Sequence, residues 1–160
     1  MAVVGVLACV AGYLIITSLS AGGGGADGSV TKTHGDGSAS NEESSLVGEV
    51  RQAVLMARAV GGPQAMTVRQ SLELATLGGA RLIGRSDELG SLEAGKLADL
   101  ALWRIDGLAL AGIADPVAAL ALGSRPPLDL LLVNGKVVVE RDEVATVDET
   151  AVARAAATRR

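Results

Sequence analysis

A chain of 160 residues suits one ordinary domain of roughly 100–150 residues and falls short of the roughly 250 that a barrel of eight strand–helix units needs. Hydrophobic residues make up 49% of it, yet phenylalanine is absent and tryptophan and tyrosine occur once each, so the core must be built from Ala, Val, Leu and Ile. A net charge of -4 without a basic run argues against nucleic-acid binding, and the single cysteine, Cys9, excludes an internal disulfide.

Residues 1–20 carry no charged side chain, and about 20 apolar residues can cross a bilayer as a helix. A secretory signal opens on a basic region, whereas the first positive side chain here is Lys32, and no flanking Lys or Arg orients the segment. Its β-branched content and internal Gly5 and Gly12 suit a buried strand pair equally well. A membrane span, a strand pair and sequence foreign to the rest therefore all stand open. Cys9 has no charged neighbour to lower its pKa and reads as an inert buried thiol.

Residues 21–34 contain the run Gly22-Gly23-Gly24-Gly25 and read as a flexible linker. No Gly-Lys-Ser/Thr completes a phosphate-binding loop. His34 reads as an exposed loop histidine.

Residues 35–88 are predicted to be mainly helical. Ser38, Ser40 and Asn41 offer N-cap oxygens, Glu42 and Glu43 suit a first turn, and Leu46, Val50, Ala53, Val54 and Ala57 recur at helical spacing. Gly61-Gly62-Pro63 stops this helix. Thr67-Val68-Arg69-Gln70 fits a capping box for a second helix, continued by Leu72, Ala75 and Leu82. Within it Gly78-Gly79 costs about 1 kcal/mol per glycine relative to alanine, so a close contact or a break is expected there.

Residues 89–148 read as strand and turn. Residues 97–105 form an apolar run, and residues 128–133 pair with 136–140 across Asn134-Gly135, whose two turn positions both need positive φ. Asp115-Pro116 and Pro126-Pro127 bracket a short helix at 117–122. Residues 149–160 are alanine-rich, end in Arg159-Arg160, and predict a frayed terminal helix.

Few residues could carry chemistry. Ser20, Ser44 and Ser45 lack a Gly-x-Ser-x-Gly context and a second histidine, which disfavours a serine hydrolase. Asp36, between Gly35 and Gly37, could approach a metal or substrate and move a proton. On spacing and composition alone a turn in which the carboxylate bonds its own backbone is the favoured reading.

Gly35-Asp36-Gly37-Ser38-Ala39-Ser40-Asn41 before a helix resembles the loop after the last barrel strand of metal-dependent amidohydrolases that deaminate cyclic amidines. Ala75-Thr76-Leu77-Gly78-Gly79-Ala80-Arg81 and Gly90-Ser91-Leu92-Glu93-Ala94-Gly95-Lys96-Leu97-Ala98-Asp99-Leu100-Ala101-Leu102-Trp103 resemble the same family, nearest its 8-oxoguanine deaminase and hydroxyatrazine hydrolase branch. The likeness covers residues 35–148. It implies an α/β fold: a C-terminal fragment of the amidohydrolase strand–helix barrel plus part of the accompanying small β-sandwich.

The resemblance implies zinc or iron in the intact enzyme and a small heterocyclic substrate. It makes Asp36 the residue that touches the metal and shuttles a proton, while Lys96 and Asp99 take structural roles. The family's His-x-His pair and further metal-binding histidines have no counterpart, since His34 is the only histidine. A hydrolytic zinc usually takes three protein ligands, so the chain alone is expected to bind no metal and to be inactive. Exposed apolar helix faces predict self-association. Cytoplasmic residence is expected, with a membrane association through residues 1–20 as the alternative. Two other readings are a non-catalytic membrane-tethered or partner-binding module, and a subunit whose missing barrel comes from a separate chain.

Overall fold

A computed structural model describes residues 6–10, 13–17 and 45–158. Its frame is a six-stranded sheet, antiparallel throughout and ordered as the strands follow in sequence. The strands are β1 (Val6–Val10), β2 (Tyr13–Thr17), β3 (Leu100–Arg104), β4 (Leu128–Val133), β5 (Lys136–Glu140) and β6 (Glu143–Val144). Of the three readings of residues 1–20, the described part takes the strand-pair form, and β2 aligns with β3 from Tyr13↔Arg104 to Thr17↔Leu100. Among the described residues no helix is long and apolar enough to cross a membrane.

The helical layer enters between β2 and β3. Helix α1 (Leu46–Gly61) is capped by Ser45, whose hydroxyl accepts from the Gly48 amide at 3.1 Å. The cap is thus Ser45 and the first-turn acid Glu49, later than the Ser38, Ser40 and Asn41 signals suggest. The reason lies in the apolar repeat, because the buried stripe is Val47, Val50 and Val54 and a helix starting earlier would have no apolar face to bury. Gly62, with φ of +83°, ends α1 and returns its amide to Arg58.

Thr67 and Gln70 form the expected capping box at the start of α2 (Val68–Glu73). The helix then widens into a π turn over Leu74–Gly78 before α3 (Gly79–Leu82). The Gly78-Gly79 pair therefore marks a change of helical pitch, and a close approach falls on the flanking Leu77 and Ala80. The approaching backbone belongs to a turn: a Cβ on Gly90 would lie 2.9 Å from Ala80 Cβ and 3.0 Å from Leu77 Cα.

A short helix α4 (Pro116–Leu122), capped by Asp115, follows β3 and a single 3-10 turn at Leu108–Leu110. Helix α5 (Glu149–Ala157) buries none of its residues. On β3 the alternate positions Ala101 and Trp103 point inward, as the period-two geometry of a half-buried strand requires. They meet Val50, Val54, Leu72, Ala75, Val117 and Leu120 in one core between sheet and helices.

Candidate active site

The candidate catalytic and metal residue, Asp36, lies outside the described residues, as do His34 and the linker reading of residues 21–34. What the structure describes is the scaffold that follows Asp36 in sequence. Helix α1 is fastened to the segment that follows it at two points. Ser71 Oγ, fully buried, donates to the Val50 carbonyl at 2.9 Å, and Arg58 Nε donates to the Met66 carbonyl at 3.0 Å. The first bond holds α1 against α2, and the second holds its C-terminal turn to the residues leading into α2.

A second polar centre gathers in residues 86–96. Lys96 Nζ donates to the Ser86 carbonyl at 2.7 Å and to Ser91 Oγ at 2.6 Å, and lies 3.4 Å from the Glu93 carboxylate. Ser91 Oγ in turn donates to Glu93 Oε1. The Ser91 hydroxyl, then the Lys96 ammonium, hold the Glu93 carboxyl below the usual carboxylate range. Sequence reasoning gave Lys96 a structural role and passed over Ser91 and Glu93 as its partners. The Ser-x-Glu-x-x-Lys spacing is the signal that could have found them. Ser91 is 3% exposed and enclosed by its turn, so its proximity to an amine builds the turn and offers no reachable nucleophile.

Asp99 has the adjacent task. Its Oδ1 accepts the Asn134 amide at 2.5 Å, and the Ala98 carbonyl accepts the Gly135 amide at 2.9 Å. The start of β3 thereby clamps the β4–β5 turn. An open groove of about 350 Å³ runs beside the π turn, walled by Met66, Leu74 and Gly78 and edged by Gln70, Glu73 and Arg81.

No three His, Cys, Asp or Glu side chains among the described residues could hold a metal ion together. With one histidine and one cysteine in the whole chain, the donors for a hydrolytic zinc or iron are not found here. The described residues do not fit a metal centre.

The described architecture is similar to part of two solved zinc-containing hydrolases. The chain matches an adenosine deaminase from Xanthomonas campestris with bound zinc at a TM-score of 0.74 and 30% identity, over 81% of this chain and 30% of that one. It matches the zinc complex of an atrazine chlorohydrolase from Arthrobacter aurescens TC1 at 0.66 and 38% identity, over 76% and 28%. Residues 25–138 match the model of the amidohydrolase family, and the chain belongs to that family.

Among curated relatives, the 5-methylthioadenosine/S-adenosylhomocysteine deaminase of Desulforudis audaxviator is 41% identical over 123 residues, 76% of this chain and 29% of that protein. The 8-oxoguanine deaminase of Pseudomonas aeruginosa is 45% identical over 100 residues, 62% of this chain and 22% of that protein. The chain thus spans less than a third of the length of these relatives. Its α/β fold corresponds to a part of the amidohydrolase barrel with strands of the accompanying sheet.

Proposed function

We propose that this chain is the aspartate-bearing part of a metal-dependent amidohydrolase that hydrolyses a ring carbon–nitrogen bond of a cyclic amidine, releasing ammonia from a purine- or triazine-like substrate. The observation that carries this reading is the family match over residues 25–138, a span containing Asp36. Deaminases at 41% and 45% identity support the choice of reaction. Zinc or iron is the metal implied for the assembled enzyme, and its remaining ligands come from outside the described residues. The chain's own contribution is the Asp36 carboxylate, which contacts that centre and takes up and returns a proton while water adds to the amidine carbon.

A graft tests it. In the Pseudomonas aeruginosa 8-oxoguanine deaminase, the segment matched by this chain is exchanged for this chain's residues from 35 onward, and ammonia release from aminated purines and triazines is measured. The graft should turn over, and Asp36→Asn should lower kcat about 10²–10⁴-fold with an unchanged circular dichroism spectrum. Undiminished turnover by the D36N graft would remove Asp36 from the reaction. A folded graft that releases ammonia from none of these heterocycles would sink the reading itself.

A further inference from the structure

A cavity of about 120 Å³ lies between the end of β3, the 3-10 turn at Leu108–Leu110 and the segment that joins α4 to β4. Its wall is apolar where it is buried, at Leu110 and Pro126, and Pro127 continues it. Each proline ring fixes its own φ, and the Pro127 carbonyl accepts the Arg104 amide at 3.0 Å. Leu110 is tied by its amide to the Gly107 carbonyl at 2.9 Å. It packs so closely on Gly123 that a Cβ there would lie 2.7 Å from Leu110 Cδ2. An occupant therefore meets a wall already in place, at little cost in ordering it.

Arg104 and Arg125 line the same cavity. Each has an acidic neighbour, but Arg104 Nε stands 3.6 Å from Asp106 Oδ1 and Arg125 Nη2 stands 3.9 Å from Asp142 Oδ1. Both separations exceed the roughly 3.2 Å of an N–H···O bond, and exposed pairs of this kind contribute little. A guanidinium carries five N–H donors, and among the described residues no acceptor takes a hydrogen bond from either side chain. Two arginines against Asp106 leave one net positive charge in the lining, which suits a monoanion. Size narrows the choice: an apolar cavity of about 150 Å³ holds benzene, so one of 120 Å³ takes about five non-hydrogen atoms. Inorganic phosphate has no apolar part to set against Leu110 and Pro126. A carboxylate offers a planar pair of oxygens to a guanidinium fork and a tail to the wall.

We infer that this cavity is a binding site for a small aliphatic monocarboxylate. Arg104 and Arg125 hold the carboxylate, and a tail of about three to five carbons lies against Leu110, Pro126 and Pro127. The site uses no residue of the reaction proposed above and stands or falls apart from it.

The full chain, labelled with nitrogen-15, is titrated with isovalerate, and separately with isovaleramide, acetate and inorganic phosphate, while backbone amide shifts are followed by NMR. Isovalerate should saturate, with its shifts concentrated in residues 104–110 and 123–127. Isovaleramide keeps the shape without the charge, and acetate keeps the charge without the tail. Each should bind at least about tenfold more weakly, as should phosphate. Arg104→Gln and Arg125→Gln, both on exposed side chains, should keep the thermal melt and each lose at least about tenfold in isovalerate affinity. Equal binding of the amide, or undiminished binding by both arginine variants, would take the guanidinium groups out of the site and overturn the inference. Equal binding of acetate or phosphate would overturn the aliphatic carboxylate as its ligand. An absence of saturable isovalerate shifts in these residues would overturn the site itself, including the case in which an acidic side chain of the same chain already fills it.

Discussion

At the scale of single residues, Lys96 is the side chain on which most depends. Its ammonium is largely buried, with 13% of the side chain exposed, and it bonds Ser86, Ser91 and the Glu93 carboxylate from the centre of one turn. Lys96→Met keeps the aliphatic stem but leaves the Ser86 carbonyl and the Ser91 hydroxyl without their donor. Buried groups left unsatisfied cost about 1–3 kcal/mol, so the unfolding free energy of this variant from urea denaturation should fall by that amount. Glu93 sets the pH dependence of the same cluster. Its carboxyl is held below the usual range, first by Ser91 and then by Lys96, so the folded state binds its proton less readily than the unfolded one. The stabilisation is complete above the ordinary carboxylate range and is lost as pH falls through the lowered folded value. Glu93→Gln should flatten this acid limb in pH-dependent melts. An unchanged limb would separate Glu93 from the cluster's electrostatics.

At the scale of elements, the two turns of the β4–β5–β6 meander differ in how well their residues suit them. Asn134 and Gly135 take φ of 49° and 73°, the left-handed pair that a two-residue hairpin demands and that Asn-Gly adopts at least cost. Arg141 and Asp142 take φ of 54° and 64°, a region that Asp tolerates and that Arg disfavours. The turn persists because the Arg141 and Asp142 amides each donate at 2.8 Å to the Asp129 and Leu128 carbonyls. Asp142 Oδ1 also accepts the Leu128 amide at 3.1 Å. The Arg141 side chain lies 3.9 Å from the Glu140 carboxylate in an exposed pair, which adds little to holding this geometry. Left-handed backbone costs an ordinary residue roughly 1–2 kcal/mol, partly offset by glycine's greater freedom when unfolded. Arg141→Gly should therefore raise thermal stability by up to about 1 kcal/mol, and a loss would place the turn's strain elsewhere.

The same contrast explains what the sequence made legible. Asn134-Gly135, the Thr67–Gln70 capping box and the Asp115 cap announce themselves because a local bond or dihedral requires those residue types. The π turn over Leu74–Gly78 lies beside a contact distant in sequence, the Gly90 turn pressing on Leu77 and Ala80, while β6 is only two residues long and the Ser45 cap follows from which face of α1 is buried. Of the candidate site the sequence offers Asp36 and its motif, which lie outside the described residues.

At the scale of the whole molecule, Trp103 is where sheet and helices meet. It is the chain's only tryptophan, 5% exposed, and its indole nitrogen has no hydrogen-bond partner among the described residues. It shares one core with Val50 and Val54 of α1, Leu72 of α2, and Val117 and Leu120 of α4. Because a single cluster joins elements so far apart in sequence, the helical layer cannot leave the sheet without exposing that indole. Tryptophan fluorescence and far-ultraviolet circular dichroism should therefore report one coincident unfolding transition. Leu120, at 1% exposure, fixes the magnitude of the test. Leu120→Ala opens a cavity at the junction and should cost about 2–5 kcal/mol, moving both transitions to lower denaturant together. If circular dichroism kept its original midpoint while fluorescence moved, the helices would owe their stability to something other than this shared core.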